Sequence, residues 1–100
     1  MAGFPGGSAW ATAKDIAEGY LLVTERTFGR FDGGQIEKLA FELERSLRDT
    51  RGDQPALDDL EAIQVRNRKL TRLTGALTML RSYQQRRFRA TGKPKFDGHA

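Results

Sequence analysis

The sequence predicts an all-α fold, in which an antiparallel helical hairpin is accompanied by an additional N-terminal helix. An apolar periodicity over residues 55–90 fits one long C-terminal helix, and a helix-start motif at residues 31–36 opens another helix before it. An alanine-rich stretch from residue 9 favours a third. These observations predict a two- to three-helix bundle. We divide the chain into a flexible lead at 1–8, a single helical domain at 9–90 and a basic flexible tail at 91–100.

The first helix is predicted to cover residues 9–28. Ser8 is a good N-cap, because its hydroxyl can accept a hydrogen bond from a backbone N–H of the first turn. Gly19 costs such a helix about 1 kcal/mol relative to alanine, so it either allows another helix to come close or is simply tolerated. The residues expected on the buried stripe recur at helical spacing: Trp10, Ala13, Ala17, Tyr20, Leu21, Thr24 and Phe28.

The second helix has the clearest local signal in the chain. Asp32 and Gln35 have the spacing of a capping box, and Phe31 and Ile36 stand where a hydrophobic staple requires apolar residues. Gly52 is expected to end the helix. Its predicted apolar stripe consists of Ile36, Leu39, Ala40, Leu43 and Leu47.

The third helix is predicted to start at an Asp53 or Gln54 cap with Pro55 in its first turn. Over 36 residues it would be about 54 Å long. The connection after Gly52 is short, which predicts that the second and third helices are antiparallel neighbours. The candidate helix-helix interface is Leu57, Leu60, Ile63, Leu70, Leu73, Leu77 and Leu80.

The long helix is expected to need more cover than the second helix provides. At about 18 residues, or about 27 Å, the second helix would cover only the first half of the third. The first helix or a second copy of the chain would then cover the rest, and Gly75 marks a place where another backbone could come close. We therefore expect a homodimer, since a core of this size is marginal for a monomer.

Charge is distributed unevenly along the chain. Residues 1–64 contain seven Lys or Arg and twelve Asp or Glu, whereas residues 65–100 contain ten Lys or Arg and one acid, Asp97. A basic C-terminal third is typical of a segment that binds an acidic partner, but it is equally compatible with two halves of one protein, or of two copies, that attract each other.

The basic residues form two groups with different expectations. In the first, Arg66, Lys69 and Arg72 share one helix face and could exchange salt bridges with the acidic second helix. In the second, few acids are left for pairing, so a structural role on a solvated face and contacts with nucleic-acid phosphates are about equally favoured, and its residues are the candidate partner or phosphate contacts. This second group consists of Arg81, Arg86, Arg87, Arg89, Lys93 and Lys95.

Residue types argue against catalysis. The chain has no cysteine, and its only histidine, His99, stands in the predicted tail. Asp58, Asp59 and Glu61 could suggest a metal site, but the positive end of a helix dipole already explains carboxylates there. We expect no enzyme activity, no cofactor, no metal and no small-molecule substrate.

The function expected from the sequence is that of a small helical interaction protein, an adaptor or assembly component. Its long amphipathic helix, with a basic C-terminal end, would contact a partner protein or a second copy. The alternative is a basic nucleic-acid-binding protein that contacts phosphates through residues 81–95 without reading sequence. Binding to a membrane surface ranks last. Met1 to Ser8 has no basic residue and no apolar run, so we expect no secretory signal and a cytoplasmic location.

Overall fold

The computed structural model describes residues 7–91, with side chains through residue 87. This part contains four helices, α1 (Ala9–Glu18), α2 (Glu25–Phe28), α3 (Gly33–Gly52) and α4 (Leu60–Thr91), and no strand. The predicted all-α fold, with a helical hairpin and one long C-terminal helix, is confirmed. The predicted lead and tail lie largely outside the described residues.

Helix α1 begins as predicted, because the Ser8 hydroxyl accepts a hydrogen bond from the Ala11 N–H at 3.1 Å. Its predicted extension to residue 28 is wrong. Gly19 adopts a left-handed φ of 86° and ends the helix, and the next N–H, of Tyr20, bonds back to the Asp15 carbonyl at 2.9 Å. A glycine in this conformation is a common helix C-terminal signal.

The chain leaves the helical path after Gly19 and returns to it only in the short helix α2. Leu21 is half-buried and Val23 is buried, whereas Tyr20, Leu22 and Thr24 are exposed. Tyr20 and Thr24 therefore do not belong to a buried helical stripe, contrary to the sequence prediction. Buried Phe28 in α2 anchors the segment, with its ring centroid 5.8 Å from that of Tyr83.

Helix α3 has the predicted capping box. Asp32 Oδ1 accepts from the Gln35 N–H at 2.7 Å, and the Asp32 N–H donates to Gln35 Oε1 at 3.0 Å. Phe31 and Ile36 on either side of the cap are buried. The helix ends at Gly52, and all five residues of its predicted stripe are buried.

Helix α4 begins at Leu60, so the predicted cap at Asp53 or Gln54 is wrong. The Asp59 carboxylate accepts from the Ala62 N–H at 3.0 Å and caps the helix instead. Residues 53–59 form the connection, which is therefore longer than predicted. The 32 residues of α4 span about 48 Å at 1.5 Å per residue.

Helices α1, α3 and α4 share one core. Contacts of α3 with α4 reach from Thr50 and Arg66 at one end to Glu37 and Gln84 at the other, so the two helices are antiparallel and α3 covers most of α4 rather than its first half. The core also receives residues from α2 and from the segment before it. Its buried members are Ala13, Ile16, Ala17, Val23, Phe28, Phe31, Ile36, Leu39, Ala40, Leu43, Leu47, Leu73, Ala76 and Leu80.

None of the helices in residues 7–91 combines the length and the apolar composition that crossing a membrane requires.

Candidate interaction surfaces

The predicted apolar stripe of α4 divides into a covered part and an uncovered part. Leu73 and Leu80 are fully buried, and Leu70 and Leu77 are half-buried against the same core. Ile63 is half-buried as well. The cover comes from α1, α2 and α3 of the same chain.

The N-terminal end of the stripe is uncovered. Leu57 is 92% exposed and precedes the helix, while Leu60, the first residue of α4, is 69% exposed. Val65, in the second turn, is also exposed. Among the described residues, the hydrogen bonds between α4 and the end of α3 begin at Arg66, one residue after Val65. We call residues 53–65 the acidic tip.

Two arginines of the first basic group bind the C-terminal ends of α3 and α1. Arg66 donates at 2.6 to 3.2 Å to three backbone carbonyls at and just beyond the end of α3, those of Thr50, Arg51 and Asp53. Arg72 Nη1 donates to the Ala17 carbonyl near the end of α1 at 3.1 Å. A cation at a helix C-terminus also complements the helix dipole.

The predicted salt bridges of this group with the second helix, α3, are therefore replaced by other contacts. Lys69 pairs at 3.6 Å with Glu18, which lies on α1 rather than on α3. Arg66 and Arg72 bind backbone carbonyls, which carry no formal charge. These partners are available because the C-terminal ends of α1 and α3 lie close together beside α4. Sequence spacing alone does not show this arrangement.

The described residues of the second basic group also have partners within the chain. Arg81 pairs with Glu44 at 2.5 Å, and Arg86 pairs with Glu25. Arg87 donates to the Phe31 carbonyl at 3.4 Å. The acids of these pairs lie on α2 and α3, far away in sequence. The Arg89 side chain, Lys93 and Lys95 lie outside the described part.

A second uncovered apolar surface lies on the side of the bundle that α1 and α3 form. Trp10 is 56% exposed and Phe41 is 59% exposed, and both line one shallow pocket between the start of α1 and the side of α3. The Lys14 ammonium lies 5.4 Å from the centre of the Trp10 ring, within the range of a cation–π contact. We call this surface the aromatic patch.

Sequence reasoning did not find the aromatic patch, although it carries a detectable signal. Trp10 was assigned to the buried stripe of the first helix. Phe41 lies on the polar side of α3, near Lys38, Glu42 and Arg45, where an aromatic residue has no role in the core. An aromatic side chain outside the apolar stripe is the signal that would have indicated an exposed position.

The carboxylates of the described part do not assemble into a metal site. No group of three or more His, Cys, Asp or Glu side chains there is placed to hold a metal ion. Asp59 has one carboxylate oxygen bound to the Ala62 N–H as the cap of α4.

The fold defines a small helical bundle. The chain matches no protein-family model, no curated protein and no solved structure. Any function must therefore be argued from the chain's own surfaces.

Proposed function

We propose that the chain is a non-enzymatic helical interaction protein, an adaptor or assembly component that binds a partner protein or a second copy of itself. The observation that carries the proposal is the aromatic patch, where Trp10 and Phe41 are exposed next to each other. Single exposed apolar residues are ordinary on protein surfaces. Aromatic residues that share a surface pocket are instead typical of an interface centre.

The core already contains enough apolar residues to explain the fold without this patch. Fourteen apolar residues are buried in one cluster, and no buried side-chain nitrogen or oxygen atom in the described part lacks a partner. The exposed aromatic rings are thus surplus to the packing of the bundle. A partner that covers them would remove apolar area from water and gain the corresponding free energy.

Nucleic-acid binding is the weaker proposal. Arg81, Arg86 and Arg87 could contact phosphates only by competing with their partners on α2 and α3. Exposed ion pairs contribute little free energy, so such competition would be feasible, but no observation favours it.

A cytoplasmic location belongs to the same proposal as the interaction function, since a chain without cysteine forms no disulfide bond and does not need an oxidising compartment.

Photo-crosslinking in the cells that make the protein tests the interaction function. A benzoylphenylalanine in place of Phe41 should yield a discrete crosslinked product, which contains either one other protein or a second copy. The control carries the same group at exposed Thr78 on α4 and should yield none. Identical products from the two positions, or no product from position 41, would contradict the proposal.

A further inference from the structure

The acidic tip combines exposed apolar side chains with unpaired negative charge. Leu57, Leu60 and Val65 are exposed there. Residues 53–65 contain four Asp or Glu and no Lys or Arg. Within the described part of the chain, the carboxylates of Asp53, Asp58 and Glu61 make no hydrogen bond or ion pair. Arg66 and Lys69 line the same surface, but Arg66 binds backbone carbonyls and Lys69 pairs with Glu18. An occupant of this surface should therefore be both apolar and cationic.

The chain itself has a segment with this chemistry at its other end. Residues 81–96 contain six Lys or Arg and no acid, and they include Tyr83, Phe88 and Phe96. Arg86 and Arg87, in its described part, are exposed but already bind Glu25 and the Phe31 carbonyl, so the excess positive charge of the segment comes from Arg89, Lys93 and Lys95. The charge of this basic end is complementary to that of the acidic tip.

A chain cannot bring its own basic end to its own acidic tip. Leu60 and Thr91 are the two ends of α4, so about 47 Å of helix separates them at 1.5 Å per residue. Lys95, the last cation of this segment, stands four residues beyond Thr91 and could lie at most about 14 Å from the helix end even if the chain between them were fully extended. Contact between the two ends thus requires a second molecule.

We infer that the acidic tip binds the basic C-terminal end of a second copy of this chain. This inference rests on the proposed interaction function and names one partner for it. When two α4 helices lie antiparallel, the acidic tip of each molecule contacts the basic end of the other. Both contacts form in the same dimer, which is closed and has twofold symmetry. Its contacts combine apolar burial of Leu57 and Leu60 with salt-sensitive ion pairs.

Sedimentation of the full chain over a concentration series tests the inference. We expect a reversible monomer–dimer equilibrium, weakened at least about tenfold between about 0.05 M and about 0.5 M salt, because screening shortens the reach of the charges. Leu57→Ser/Leu60→Ser should weaken the dimer by a similar factor. A monomer at every concentration would overturn the inference, as would a mass that grows beyond two copies.

Complementary charge reversal makes the test specific. The tip variant Asp58→Lys/Glu61→Lys and the tail variant Arg89→Glu/Lys93→Glu should each dimerise more weakly alone, because the tip charge changes from minus four to zero and the charge of residues 81–96 from plus six to plus two. Mixed in equal amounts, they should form a heterodimer more readily than either forms a homodimer, because the reversed tip residues then face the reversed tail residues and the parent tip faces the parent basic end. The control Asp49→Lys, on exposed α3 surface, should dimerise like the parent.

The mixing experiment also shows whether a variant fails to dimerise because it is misfolded or because it has lost the contact. Unfolded variants could not form a heterodimer with each other. A mixture of folded variants that stays monomeric would overturn the inference. If position 41 crosslinks to another protein while the full chain remains monomeric, the inference fails and the proposed function stands.

Discussion

Arg72 lies directly against Gly19, at the end of α1. A Cβ atom added to Gly19 would stand 2.9 Å from Arg72 Cζ, while Arg72 Nη1 donates to the carbonyl of Ala17, two residues before the glycine. Gly19 thus has two functions in the fold. Its positive φ turns the chain out of the helix, and its lack of a side chain admits the guanidinium that binds the helix end.

Gly19→Ala should lower the free energy of unfolding by about 1 to 2 kcal/mol, mainly because a left-handed φ is costly for a residue with a Cβ. Displacement of Arg72 adds less, since the end of a flexible side chain can shift. Urea denaturation measures the change. Gly75→Ala is the matched control, because it lies within α4 with open space around it. It should raise stability by up to about 1 kcal/mol. Equal effects at the two glycines would contradict this account of Gly19.

Arg66→Met should destabilise the bundle by about 1 to 2 kcal/mol, because it removes charge-assisted hydrogen bonds to carbonyls at the end of α3. Methionine preserves much of the apolar stem, so the loss reports on the guanidinium. Arg68→Met, two residues later, removes an exposed side chain that makes no hydrogen bond or ion pair in the described part. It should change stability by less than about 0.5 kcal/mol. Chemical denaturation of both variants compares them, and a similar loss for Arg68 would contradict the capping role.

Leu73→Ala and Leu57→Ala should separate the covered part of the α4 stripe from its uncovered end. Leu73 is fully buried, so its truncation should cost about 2 to 5 kcal/mol. Leu57→Ala removes a side chain that is almost fully exposed, and it should cost less than about 0.5 kcal/mol. Denaturation at low protein concentration keeps self-association out of the comparison. A large loss for Leu57 in the monomer would show that the tip packs within the chain.

The elements predicted correctly depend on neighbouring residues. The capping box of Asp32 and Gln35 is complete within four positions, and the α3 stripe follows from its helical spacing. These signals do not depend on where the rest of the chain lies, so the sequence alone was sufficient to predict α3 and its antiparallel partner.

The elements predicted wrongly depend on distant contacts. Helical spacing continues through Gly19 to Phe28, whereas the left-handed φ of Gly19 ends α1 there and Arg72 binds the Ala17 carbonyl at that end. Likewise, Arg66 binds carbonyls at and just beyond the end of α3, and α4 begins only at Leu60, after the Asp59 cap. The exposure of Trp10 also depends on distant contacts. Helical periodicity identifies the apolar stripe of a helix, but it does not show which part of the stripe another element covers. The Arg81 and Arg86 pairs could not be foreseen from local charge counts.

Quenching of Trp10 fluorescence should tell which surface a partner occupies, since the chain has one tryptophan. In the isolated protein Trp10 is more than half exposed, so acrylamide should quench its emission efficiently. Self-association through the acidic tip should leave this quenching unchanged, because the tip residues do not line the surface around Trp10. A partner bound at the aromatic patch should instead shift the emission to shorter wavelength and reduce quenching. Protection that rises with the concentration of the isolated protein would place the contact between copies at the aromatic patch and contradict dimerisation through the tip.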